Sequence, residues 1–220
     1  NTLEGNRKAA LYLCGDGTFQ IVSNDIRRNP ESGIVLRARE SFLKGNNISY
    51  NGDGLLIHSV SELESCLEEN IFYGNTGVGV GVLGDPEDMG QNVVVHIGRP
   101  GGVGNTFSNN ESGVYVQNAR VPIYHTILQE NRTGVIASQN GFVSLGSFHT
   151  PGGNTIRNST NVGLANRSDR RIPAPGNTWN PSVQGADAEG HYAGDLVRGP
   201  VPPLDGNNFS ISSSYGTIQF

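Results

Sequence analysis

Charged residues, helix formers and long apolar runs are all scarce in this sequence. Only 16% of its 220 residues are charged, and Met and Trp occur once each. Leu, Ala, Lys and Glu are too sparse to build helices against 31 glycines and 11 prolines, so the composition predicts many turns and almost no helix. The one helix-like stretch, Ser59 to Asn70, has strand-like neighbours on both sides. No apolar run approaches the roughly 20 residues that cross a bilayer, which excludes a membrane-spanning helix. The first residues do not read as a signal peptide, and a mature, processed chain would lack one in any case. The net charge of −5 and the scattered Lys and Arg leave no basic face to neutralise phosphates, which excludes nucleic acid as a partner. There are two cysteines, Cys14 and Cys66.

What is present is a repeat. Its unit is Asn-x-apolar-x-x-Asn, followed a few residues later by Gly and an aliphatic. The first clear copy reads Asn24, Ile26, Asn29, Gly33, Ile34, and the next Asn46, Ile48, Asn51, Gly54, Leu55. Then come Asn70, Phe72, Asn75, Gly77, Val78 and Asn105, Phe107, Asn110, Gly113, Val114. Thr126, Leu128, Asn131, Gly134, Val135 and Asn154, Ile156, Ser159, Gly163, Leu164 are looser copies, and a partial seventh opens with Asn177 and Trp179. The first positions are 22, 24, 35, 21, 28 and 23 residues apart, a period near 23 with two insertions. That period suits one coil of three short strands, so the sequence predicts an all-β fold: a single-stranded right-handed parallel β-helix of about seven coils. The expected division is a solenoid over residues 1–182 and an irregular C-terminal tail over 183–220 packed on it as a cap. A cap is needed because the last coil of a solenoid exposes unpaired backbone.

The register assigns roles. Coils stacked about 4.8 Å apart pile equivalent residues into ladders. The reading expects one apolar ladder from Ile26 to Trp179 and a second through Ile34, Leu55, Val78, Val114, Val135 and Leu164. Asn29, Asn51, Asn75, Asn110 and Asn131 are read as a turn ladder, since asparagine tolerates left-handed backbone and hydrogen-bonds its neighbours above and below at a buried bend, with the corner glycines supplying positive φ. The sequons at Asn47, Asn110, Asn131, Asn158, Asn166 and Asn208 then follow from the repeat rather than from glycosylation. Cys14 and Cys66 fall on different ladders, beyond the roughly 7 Å Cα limit for a disulfide, and are expected to be free, buried thiols. The insertions fall near Leu83–Gln91 and His149–Gly153.

The tracts Gly104-Asn105-Thr106-Phe107, Gly153-Asn154-Thr155-Ile156 and Gly176-Asn177-Thr178-Trp179 resemble the coils of pectate-lyase-like right-handed β-helices. The likeness is closest to an uncharacterised bacterial β-helix repeat group and spans roughly Gly15 to Asp187. It implies a secreted or cell-surface location and a polysaccharide or surface partner, the superfamily including pectate lyases, polygalacturonases, phage tailspikes and adhesins. The polygalacturonase motifs Asn-Thr-Asp, Asp-Asp and Gly-His-Gly are absent, and Arg99-Pro100-Gly101-Gly102 only faintly echoes the lyase Arg-x-Pro-x-x-Arg.

Several groups are candidate sites. Glu31 and Asp53 each lie seven residues after the first Asn of their copies, where paired carboxylates would share a proton or bind calcium. Arg37, His58 and Gln117 lie four after the corner glycine with Gly81 between, a polar column that includes two catalytic candidates. Asp85, Glu87 and Asp88 in the first insertion are candidate ligands for Ca, a hard cation that takes carboxylate oxygens. His96, His125, His149 and His191 lack metal-ligand spacing and read as surface residues. The outward row Arg27, Ser49, Tyr73, Ser108, Gln129, Arg157 mixes polar and aromatic groups and is the best glycan-binding candidate. A second outward row, Val35, Leu56, Gly79, Tyr115, Ile136 and Ala165, is apolar where water-facing residues belong, and suggests coverage by the tail, by a second copy of the chain or by a partner. The leading expectation is a non-catalytic extracellular domain for surface structure or glycan binding. The alternative is a polysaccharide lyase or glycoside hydrolase with an unfamiliar site.

Overall fold

The computed structural model describes residues 1–58, 63–87, 93–147, 149–168, 170, 172–174 and 176–179, and two strands near the C-terminus. Asp88, His191, Asn208 and residues 183–209 of the expected tail lie outside the described residues.

The chain winds into a right-handed parallel solenoid, and no helix occurs among the described residues. The first two turns are β1 (Thr2–Glu4) with β2 (Leu11–Val22), then β3 (Asp25–Arg27) with β4 (Ser32–Lys44). From the third turn the long strand divides, giving β5 (Asn47–Ser49), β6 (Asp53–His58) and β7 (Leu63–Glu68), then β8 (Ile71–Tyr73), β9 (Val78–Leu83) and β10 (Val93–Ile97). Two further turns follow: β11 (Thr106–Ser108), β12 (Ser112–Gln117), β13 (Arg120–Pro122), then β14 (Ile127–Gln129), β15 (Thr133–Gln139), β16 (Phe142–Ser144). The seventh is β17 (Thr155–Arg157), β18 (Val162–Ser168) and β19 (Ile172–Pro173), and β20 (Thr178–Trp179) opens an eighth. Near the C-terminus β21 (Ser210–Ser213) and β22 (Gly216–Gln219) form an antiparallel pair, and β22 adds in parallel to β19.

One face is an eight-stranded sheet, β1-β3-β5-β8-β11-β14-β17-β20. The other two sides form a second sheet hinged at β4, which pairs with β6 through its first half and with β7 through its second. The first turn is a copy that the sequence reading missed: Asn1, Leu3 and Asn6 fit the unit, and Leu3 sits on Ile26.

Inward residues form dry ladders. Ile26, Ile48, Phe72, Phe107, Leu128 and Ile156 are fully buried in one, with Trp179 partly buried at its end, and the Phe72 and Phe107 rings stack at 4.7 Å. The second ladder is Ile34, Leu55, Val80, Val114, Val135 and Leu164, which corrects the expected Val78. The cause is that the corner glycine lies four residues after Asn75, not two. Gly77 and Val78 are seated on the turn below, with the Gly77 N–H on Gly52 O and the Val78 N–H on Asp53 Oδ1. Gly79 therefore takes the corner, and the apolar outward row passes through Gly81 instead of Gly79.

The asparagines run in two buried ladders and hydrogen-bond the turns above and below, as expected, while the backbone conformation differs from the expectation. Asn75 is typical. Its N–H and Nδ2 both donate to Asn110 Oδ1, Nδ2 also reaches Ile48 O, and its Oδ1 accepts from the N–H and Nδ2 of Asn51. Every side-chain donor and acceptor is used, as a buried amide requires. The left-handed backbone belongs to the preceding residue: Arg28, Tyr50, Asn109, Glu130 and Asn158 have φ between 54° and 58°. The corner glycines are not left-handed either. They make room, since a Cβ on Gly33 would lie 2.7 Å from Gly54 O and one on Gly113 2.6 Å from Gly134 O.

Candidate functional site

Strand pairing places Arg27, Ser49, Tyr73, Ser108, Gln129 and Arg157 on consecutive rungs of the eight-stranded face, as the sequence register predicts. The two serines are buried and recede from the surface, so the row presents three stations. At one end Arg27 is held by Glu4 and Asp25, both at 3.2 Å, while Arg28 pairs with Glu4 at 2.7 Å. These two arginines hold the Glu4 carboxyl below its ordinary range. At the other end the Arg157 Nε and Nη2 both donate to Gln129 Oε1, at 3.0 and 2.6 Å.

The middle station is aromatic. Tyr50 and Tyr73 are 54% and 36% exposed and meet edge to face at 5.3 Å. Tyr50 lies on Gly74, where a Cβ would come within 3.0 Å of its ring. The next two turns put Asn109 and Glu130 at Gly74's place, so the room at glycine is what seats the tyrosine. The neighbouring Tyr50 hydroxyl pushes the Tyr73 phenol pKa up. Ile71 and Ile127 are also exposed on this face. A rigid pair of rings with hydroxyls at their rims, flanked by fixed guanidinium groups, offers apolar contact and hydrogen bonding together.

The structure does not bring the other polar candidates into one site. Asp53 aligns with Ser32, one residue past Glu31, because Asn51 and Gly54 enclose one residue fewer than Asn29 and Gly33. The Asp53 carboxylate takes the Val78 N–H at 2.9 Å, while Glu31 is exposed. Arg37, midway along β4, and His58, at the end of β6, stand about 16 Å away at 3.3 Å per residue. Arg37 lies 5.9 Å over the Tyr12 ring, and burial, with help from Arg37, lowers the His58 pKa. Their column continues through Leu83, not Gly81, before Gln117. Asp85 caps its own turn by accepting the Glu87 N–H at 2.9 Å. Among the described residues no three His, Cys, Asp or Glu side chains are grouped to hold a metal.

The apolar row Val35, Leu56, Gly81, Tyr115, Ile136 and Ala165 is continuous. Ile136, Val162 and Ala165 form a small cluster outside the main core with Tyr115 against it, and the Tyr115 hydroxyl donates to Gln117. Leu56 lies over Gly81, where a Cβ would come within 2.8 Å of it.

The cysteines are unpaired but not buried: Cys14 is exposed and Cys66 half-buried, because both occupy outward positions of their strands. Around Cys66 the fold builds a cluster that the sequence reading missed. Arg99 Nε donates to Cys66 Sγ at 3.2 Å and pairs with Glu68 at 2.7 Å, and His96, on the rung beside Cys66, is 3.7 Å from Glu64. Burial raises the Cys66 pKa against the pull of Arg99, and burial lowers that of His96, so both are neutral near pH 7.

Of the sequons, Asn110, Asn131 and Asn166 are buried with their Nδ2 groups hydrogen-bonded, consistent with an architectural role.

No curated protein and no solved structure matches the chain. A family model does, the right handed beta helix region, over residues 1–179. Those residues include all seven turns and the start of the eighth, so the chain belongs to the right-handed β-helix family.

Proposed function

We propose that the chain is a non-catalytic extracellular β-helix that binds a glycan along its eight-stranded face. The observation that carries this reading is the Tyr50–Tyr73 pair, exposed at the centre of a polar row and seated on a glycine that the repeat does not otherwise require. Sugar rings present apolar C–H faces and a rim of hydroxyls, which matches exposed tyrosines flanked by Arg27 and Arg157. The resemblance to pectate-lyase-like proteins fits a polysaccharide ligand, but a shared fold does not carry activity across. The separation of Glu31 and Asp53 from Arg37 and His58 weighs against a lyase or hydrolase built from those residues. Screening the purified chain against acidic and neutral polysaccharides, with binding and unsaturated-product absorbance followed together, tests the reading. Binding without product supports it, and product formation refutes the non-catalytic assignment.

A second reading, self-association, rests on the continuous apolar row from Val35 to Ala165. Sedimentation of wild type and Ile136→Glu tests it. A wild-type dimer that the charge dissociates supports it, and a wild-type monomer refutes it.

A further inference from the structure

The charged groups on the eight-stranded face are matched among themselves. Arg27 is held by Glu4 and Asp25, and Arg28 by Glu4. The other two have amide partners: Arg157 donates to Gln129 Oε1, and Glu130 accepts from Asn109 Nδ2 at 3.2 Å. Three guanidinium groups therefore meet three carboxylates, and none of the six lacks a partner among the described residues. The edges of the face are closed in the same way, by Lys44–Glu69 at 2.9 Å and Arg132–Glu111 at 2.6 Å. A surface without net charge gives a polyanion or a polycation nothing to steer toward, so the ligand it fits is neutral.

The column beside the tyrosine row alternates along the solenoid axis. Strand pairing runs it through Asn47, Ile71, Thr106, Ile127, Thr155 and Thr178. Ile71 and Ile127 are 47% and 37% exposed and, with Tyr50 and Tyr73, make an apolar strip along the face. Rungs stand about 4.8 Å apart, which sets the two isoleucines about 9.6 Å apart. The first spacing matches one sugar, and the second the two-sugar repeat, of an extended β-1,4-linked pyranose chain. Ile71 and Tyr73 lie two residues apart on β8, about 6.6 Å, so one pyranose ring spans both columns. The face is also flat: the Phe72 and Phe107 rings beneath it stack with 5° between their planes, so successive rungs turn little. A flat face suits an extended ribbon better than a helical glycan.

We propose that this face binds a neutral β-1,4-linked polysaccharide lying along the solenoid axis, one sugar to a rung. Its C–H faces rest on Tyr50, Tyr73, Ile71 and Ile127, and its hydroxyls meet Thr106, Thr155 and Gln129. The inference rests on the glycan-binding reading of the tyrosine pair and adds the charge, the linkage and the direction of the ligand.

Calorimetric titration with hexasaccharides tests it. Cellohexaose, mannohexaose and N-acetylchitohexaose are neutral β-1,4 chains, maltohexaose is a helical α-1,4 chain of the same glucose, and hexagalacturonate is acidic. At least one of the first three is expected to bind about tenfold or more tightly than either of the last two. Its affinity should be the same at low and high salt, because no net charge is engaged. Ile71→Thr/Ile127→Thr should weaken it about tenfold through lost apolar contact, with a thermal midpoint near that of wild type because both side chains are exposed. Full affinity in that variant would overturn the inference. Maltohexaose or hexagalacturonate bound as tightly, and lost in Tyr50→Ala/Tyr73→Ala, would overturn it while the glycan reading stood. Binding to none of the hexasaccharides would overturn it too, and if polysaccharides also fail to bind, the glycan reading falls with it.

Discussion

Asn75→Ala removes one rung from the middle of a buried asparagine ladder, and its cost follows from the bonds it breaks. Nδ2 loses Ile48 O at 3.2 Å and Asn110 Oδ1 at 2.9 Å, and Oδ1 no longer receives Asn51 N–H at 2.9 Å or Asn51 Nδ2 at 3.2 Å. Two neighbours keep alternatives: Asn110 Oδ1 retains the Asn75 N–H at 3.0 Å, and Asn51 Nδ2 retains Ile26 O at 3.1 Å. The group stranded outright is the Asn51 N–H, with a lone pair on Ile48 O beside it. At about 1–3 kcal/mol per unsatisfied buried group, plus the void left by the amide, the expected loss is about 3–5 kcal/mol. That is a large share of the roughly 5–15 kcal/mol by which folded domains are stable. Urea unfolding followed by far-ultraviolet circular dichroism should show the midpoint falling with the slope retained. Asn75→Asp should cost as much or more, since it sets an oxygen against Ile48 O and Asn110 Oδ1. Asn47→Ala, at an exposed asparagine whose side chain bonds Asp25, should cost under about 0.5 kcal/mol. If Asn75→Ala falls within about 1 kcal/mol of wild type, the ladder does not hold the turns together in the way argued.

Other expectations follow from the same geometry. Gly79→Ala should destabilise by about 2 kcal/mol or more, since its Cβ would lie 2.7 Å from both Gly113 O and the Phe107 ring, whereas Gly17→Ala, with open space, should be near neutral; thermal melts separate the two. His58 and His96 have pKa values lowered in the fold, so their contribution to stability is complete above the unfolded value of 6.5 and declines as pH falls from there toward the folded values. Unfolding midpoints across pH 7 to 5 should drop for wild type and less for His58→Gln/His96→Gln, and equal slopes would refute the assignment. Both thiols should titrate without a reductant, Cys14 much faster than Cys66, whose burial and raised pKa suppress the thiolate.

The coil, its period and the polar row were legible because they depend only on residues that recur once per turn. Ile26 to Trp179 and Arg27 to Arg157 keep constant offsets from the first Asn, and no insertion falls between them. Register failed where length varies within a turn. The step from Asn75 to its corner is four residues, as it is from Asn29, but only three from Asn51, so Gly77 could be taken for Gly79. The same variation parted Glu31 from Asp53. The cluster at Cys66 was illegible for a related reason: Cys66 lies four residues before Asn70, but His96 lies nine before Asn105, because residues 98–104 intervene. Burial of Cys14 and Cys66 was misjudged because cysteine chemistry alone does not say which face of a strand a residue occupies.

The central claim is that the tyrosine pair on the eight-stranded face reads a glycan, and binding to an array of acidic and neutral polysaccharides tests it most directly. Wild type should be retained on at least one polysaccharide, and Tyr50→Ala/Tyr73→Ala should lose about tenfold or more in affinity, as removal of central aromatic anchors does. Tyr12→Ala, which removes an exposed ring from another side, should bind as wild type. Retention of the double variant at full affinity, or no retention of wild type on any polysaccharide, would contradict the account.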